Sequence, residues 1–163
     1  MAPSVGETNL TALLATMQPV LQPDTYVFLT FPPSVQPPAT LPTTLTFAEF
    51  EGTTVITTRA TAEAHGLTDV HFPSRMITLQ VHSSLEAVGF LATITAVLCR
   101  RKGMATNVVS AFFHDHIFVP EAKAEEAMEV LRGLVEDAQV KIAVEKMHLS
   151  TGDVIYIVVP STA

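Results

Sequence analysis

A switch of hydrophobic period, made twice in the second half of the chain, constrains the fold more than any other feature. Met76 to Val81 alternates in strand fashion and is largely apolar on both faces, which suits a central strand. Ala87 to Lys102 then runs apolar over helical length and stops at Gly103. Thr106 to Phe113 and Ile117 to Val119 return to strand pattern on either side of a His114-Asp115-His116 turn. Pro120 and Glu121 open a second helix that runs to about Ala138. Its core stripe is Ala124, Ala127, Met128, Leu131, Leu134 and Val135. Val154 to Val159 reads as a closing strand, and Gln139 to Ser150 carries no clear pattern.

The resulting β-α-β-β-α-β order is the split-βαβ motif of ferredoxin-like folds. The first half is a looser version. Thr8 is placed to cap a helix carrying Leu10, Leu13, Leu14 and Met17, closed by Pro19 and Pro23. Thr25 to Phe31 is a buried strand; Leu45 to Phe50 and Thr53 to Thr58 form a hairpin around Glu51-Gly52. Between them, residues 32–42 hold five prolines and no charge, which marks an exposed, semi-rigid loop. Thr61 to His65 is a helical turn stopped by Gly66, and Asp69 to Arg75 reads as a linker. The expected architecture is α+β: two ferredoxin-like units, residues 1–72 and 73–163, with antiparallel sheets and helices on one face.

Composition narrows the functional classes. The chain is 48% hydrophobic and 15% charged, enough to build a core and unlike a disordered segment. A net charge of -7 argues against a nucleic-acid partner, which requires a positive field. The one basic cluster, Arg100-Arg101-Lys102, falls at a helix C-terminus, where it complements the dipole. No secretory signal is visible, and Ala87 to Cys99 is shorter than the roughly 18 to 20 residues of a membrane span. Cys99 is the only cysteine, so no internal disulfide forms and a reducing, cytoplasmic setting is expected. Its apolar neighbours predict a core position.

Two blocks carry chemistry. Ser83, Ser84 and Glu86 precede an apolar helix, and two readings stand side by side. They are capping residues, or they belong to a loop in which Gly89 and free N–H groups hold a carboxylate. Asn107 on the next strand is a second candidate for either structural or ligand bonding. His114 and His116, with His82 as a third donor, are spaced as metal ligands; a turn organised by Asp115 is the favoured explanation, since no complete ligand set is visible. No nucleophile elbow, phosphate-binding loop or Cys–His arrangement is present.

The blocks His82-Ser83-Ser84-Leu85-Glu86-Ala87-Val88-Gly89, Ala105-Thr106-Asn107-Val108-Val109 and His114-Asp115-His116-Ile117-Phe118-Val119 resemble small tandem ACT-domain proteins. Thr25-Tyr26-Val27-Phe28 and Glu51-Gly52-Thr53-Thr54-Val55 fit the first domain of that group, so the likeness spans roughly residues 8–138. The layout is similar to the ACT pairs of cytosolic amino-acid sensors and of aspartate kinase regulatory regions. The resemblance implies a non-enzymatic regulatory module without a cofactor, binding an amino acid and forming a homo-oligomer. It carries the ligand site onto Ser83, Ser84, Glu86, Ala87, Val88, Gly89 and Asn107. The sequence departs from the pattern at His82-Ser83-Ser84, where an acid is usual, and in its Pro-rich loop and extended C-terminus. Two other readings remain: a metal-dependent enzyme using His82, His114 and His116, and a purely structural dimerisation domain.

Overall fold

The six strands of the described residues join into one antiparallel sheet. The computed structural model describes residues 6–151. In chain order the elements are α1 (Leu10–Thr16), β1 (Gln18–Phe31), β2 (Leu45–Glu49), β3 (Gly52–Thr58), α2 (Arg59–Ala64), β4 (His71–Gln80), α3 (Phe90–Lys102), β5 (Asn107–Ser110), β6 (Asp115–Pro120) and α4 (Ala124–Thr151). The strand order is β2-β3-β1-β4-β6-β5. The α+β expectation holds, with a refinement. β2-β3-β1-β4 is one ferredoxin-like half, in which residues 32–44 replace the first crossover helix. β4-β6-β5 with α3 and α4 is the other half. β4 belongs to both, and the expected division between residues 72 and 73 falls inside it.

Alternation assigns the faces. Tyr26, Ile56, Met76 and Phe118 form one buried cluster. Their neighbours Val27, Val55, Ile77 and Ile117 point to the opposite face. There Val27, Leu29, Phe31 and Val55 pack with Ala62 of α2. Ile77, Leu79, Ile117 and Val119 pack with Leu13 of α1, with Phe90, Ile94 and Leu98 of α3, and with Met128 and Leu131 of α4. Every helix therefore covers the same face.

Several boundaries move for physical reasons. β1 begins at Gln18, so Pro19 lies within a strand. Gln18–Leu21 pairs with β4, whereas pairing with β3 begins only at Tyr26. Pro19 thus has a neighbour on one side only, the edge-like setting in which a missing N–H is tolerated. The predicted linker Asp69–Arg75 supplies the first half of β4. Asn9 rather than Thr8 caps α1, its Oδ1 accepting from Ala12 N at 2.9 Å. α4 absorbs the unassigned residues after Gln139. Cys99 is exposed, which corrects the core expectation. The buried stripe of α3 is Phe90, Ile94 and Leu98, and one residue further on turns about 100° away from it. The predicted strand Val154–Val159 lies outside the described residues. No helix among the described residues is long and apolar enough to cross a membrane.

Candidate functional site

The loop between β4 and α3 lies at the end of the sheet where β5 finishes and β6 begins. Helix α3 starts at Phe90, three residues later than the apolar run suggests. Its N-cap is Gly89, held at φ 93°, a left-handed conformation that favours glycine. No side chain caps this helix and its first turn holds no acid. This removes the capping reading of Ser83, Ser84 and Glu86. Ser84 stabilises the loop itself: its carbonyl accepts from Ala87 N at 2.9 Å and its Oγ from Glu86 N at 3.2 Å. The N–H groups of the first turn, Phe90 to Ala92, lack intrahelical acceptors, as at any helix start.

These residues line a cavity of about 120 Å³, whose wall includes Ser83, Ser84, Gly89, Ser110 and Asp115. Asp115 pairs with Leu79 in register and shares a face with Ile117 and Val119, so its carboxylate lies on the helix-covered side. It is only 5% exposed. Ser110 Oγ donates to Asp115 Oδ1. Oδ2 accepts no hydrogen bond among the described residues. No buried side-chain oxygen among the described residues lacks a partner, so Oδ2 retains some exposure, and Asp115 is part of the cavity wall. The cavity thus has hydrogen-bond donors and a positive helix end on one side, and a carboxylate on the other.

Of the predicted ligand residues, Ser83, Ser84, Ala87 and Gly89 line this cavity, while Glu86 and Val88 point to solvent. Asn107 is not brought to it. It is exposed at the far end of β5, beside Phe28, Leu45 and Val109. Ser110 and Asp115 line the cavity instead. The signal for Asp115 was present: Asp115, Ile117 and Val119 have one parity, so starting the strand two residues earlier puts an acid among core residues.

The His-Asp-His motif is divided between faces. Asp115 points into the cavity, whereas His116 lies on the opposite face beside Thr78. Gln22 Nε2 donates to Thr78 Oγ1 at 3.0 Å, so the Thr78 hydroxyl hydrogen is free to donate to His116 Nδ1, 3.1 Å away. His114 Nδ1 lies 3.5 Å from the Val81 carbonyl. Among the described residues, no three His, Cys, Asp or Glu side chains come together as a metal site.

Burial, reinforced by the nearby His114 and opposed by Asp115, holds the His116 pKa below the usual 6.5. Well above pH 6.5 this ring is neutral whether the chain is folded or not. Below it the unfolded chain binds a proton that the native ring resists, so stability falls as the pH drops towards the folded pKa. A series of thermal midpoints from pH 7.5 to 5 is expected to decline, and less steeply in His116→Gln. Parallel curves for the two proteins would remove His116 as the cause.

Two family models described as ACT domain match the chain in tandem, over residues 5–75 and 71–133. Their overlap lies at the start of β4, the strand common to both halves. Among solved structures, a Vibrio cholerae protein described as of unknown function and a possible transport protein is 36% identical. That match covers 77% of this chain and 95% of the other, with a TM-score of 0.68. An Agobacterium tumefaciens protein is 16% identical over 73% of this chain and 89% of its own, with a TM-score of 0.61, a likeness of fold alone. No curated protein matches the sequence.

Proposed function

The chain belongs to the ACT-domain family, with two such units in tandem, and from that premise we propose that it is a non-catalytic regulatory module that binds a small amino acid. One observation carries this reading: the uncapped start of α3 and the buried Asp115 carboxylate share one cavity. An amino-acid carboxylate accepts from the free N–H groups of Phe90 to Ala92, where the helix dipole favours negative charge. The ammonium group, one end of the same small molecule, donates to Asp115 Oδ2 in a charge-assisted bond. The cavity is small, about 120 Å³, which favours glycine, alanine and serine over larger side chains.

Leu85 and Val88 on the loop and Phe112 and Phe113 on the β5–β6 turn are exposed at this end of the sheet. Phe112 and Phe113 stack edge to face, 5.0 Å apart. A second copy of the chain set against this apolar rim would close the cavity mouth, giving a homodimer whose stability depends on the ligand. A reducing, cytoplasmic setting suits a protein with one exposed thiol.

The test is a thermal-shift screen over the twenty amino acids. An amino acid at 100 times its Kd should add about 2.7 kcal/mol to stability. Glycine, alanine or serine is expected to raise the midpoint most. No shift with any of the twenty at millimolar concentration overturns the amino-acid assignment.

A further inference from the structure

We infer that the segment Gly6–Asn9 is a strap that holds the β4–α3 loop in its binding geometry, so that release of this segment lowers the affinity of the cavity. This rests on the small-molecule reading of the cavity and adds its control.

The segment lies against the loop as a short parallel bridge between Glu7 and Ser83. Glu7 N donates to the His82 carbonyl at 2.9 Å, and Ser84 N donates to the Glu7 carbonyl at 3.0 Å. Both bonds fall beside the two serines that line the cavity. Contact is close enough to require glycine. A methyl group at Gly6 would meet Ser84 N and come within 2.7 Å of the Ser83 carbonyl oxygen. Backbone atoms cannot turn aside as a side chain can, so strap or loop must move.

The segment is itself anchored. Glu7 Oε1 accepts from Thr8 N and Asn9 N, both at 2.7 Å, turning the chain into the Asn9 cap of α1. Leu13 of α1 is fully buried in the core. At the other end of the loop, Leu10 Cδ2 lies 3.5 Å from where a Gly89 Cβ would project. The loop is therefore bonded to the N-terminal segment at its β4 end, and Leu10 of α1 lies near its other end. The loop's own bonds around Ser84 span three residues and do not link it to the sheet. Coupling of this kind is reciprocal: if the strapped form binds an amino acid better, the amino acid must favour the strapped form.

The experiment uses the full chain and two variants that release the strap differently. Gly6→Ala forces the backbones apart, and Glu7→Pro removes the donor to His82. Amide exchange is followed without ligand, and the affinities for glycine and L-alanine are measured beside it. Exchange at Ser84 is expected to rise at least tenfold in both variants, while exchange at Ile77 stays at the wild-type rate and reports an intact core. Affinity is expected to fall about tenfold, within the usual range of coupling between sites. In wild type, the amino acid is expected to slow exchange at Glu7. Unchanged exchange at Ser84 in both variants overturns the strap. Faster exchange with unchanged affinity overturns its control of binding. If wild type binds no amino acid, the ligand reading fails, and exchange at Ser84 still decides whether the loop is strapped.

Discussion

Asp115→Asn is expected to abolish stabilisation by amino acids while leaving the fold about as stable as wild type. Asn is nearly isosteric and its Oδ1 can still accept from Ser110. What disappears is the negative charge on a side chain only 5% exposed. Removing one member of a buried charge pair costs about 2–5 kcal/mol of binding, so affinity should fall by about 30-fold or more. The unliganded protein, by contrast, keeps the Ser110 hydrogen bond and the packing around this side chain. Binding should therefore be lost without a loss of stability, a pattern that general damage to the fold cannot produce. Titration calorimetry with glycine and L-alanine measures the first effect, and urea denaturation the second. Retention of wild-type affinity in this variant would show that Asp115 is not the ammonium anchor. A comparable loss of both properties would assign it to the fold instead.

Phe118→Ala should produce the largest loss of stability, about 4 kcal/mol within the 3–5 kcal/mol usual for a buried Phe. Phe118 is 1% exposed and lies on β6, on the face opposite the helices of the described residues. Its ring meets Tyr26 and Phe28 of β1 edge to face, with centroids 5.7 Å and 5.6 Å apart. Such pairs add about 0.5–1.5 kcal/mol beyond area burial. These contacts reach across β4, from the second half of the chain to the first. A protein whose halves share a strand has no surface along which to separate them. Urea unfolding of the variant should remain a single transition with the slope of wild type and a lower midpoint. The thermal midpoint should drop by roughly 10 °C or more. Two resolved transitions, or a loss under about 1.5 kcal/mol, would mean that the halves fold independently.

Local sequence carried the segments whose signals lie within a few residues. The hairpin of β2 and β3 follows from Thr-rich strands around Glu51-Gly52. Gly103 ends α3 at the predicted position, and Lys102 in its basic last turn also pairs with Glu126 at 2.9 Å. Ala124, Ala127, Met128, Leu131 and Leu134 are buried, as their helical spacing requires. The errors occur where a distant partner overrides a local cue. Pro19 looks like a helix stop, yet pairing with Leu79 makes it part of a strand. Ser84 looks like a cap, yet it organises a loop and the helix begins at Phe90, behind its Gly89 cap.

The candidate site divides in the same way. Sequence placed the β4–α3 loop, with Ser83, Ser84, Ala87 and Gly89, because a strand, a polar break and an apolar helix are all local patterns. It named Asn107 and Glu86, and the structure puts both outside the cavity. It read Asp115 as a turn residue and gave Gly6 no role.

Taken alone, the sequence determined the type and order of most elements, the α+β class and the position of the loop, since periods of 2.0 and 3.6 are set by neighbours in the chain. Only the tertiary structure decided that β1 fills the place beside β4, that Gly6–Asn9 straps the loop, and that Asp115 faces Phe90 while His116 faces away. Strand pairing uses backbone donors and acceptors that every residue except proline carries, so no local pattern names the partner. That choice is made where side chains far apart in sequence are buried together, as Leu13, Leu79, Phe90 and Leu131 are in one core.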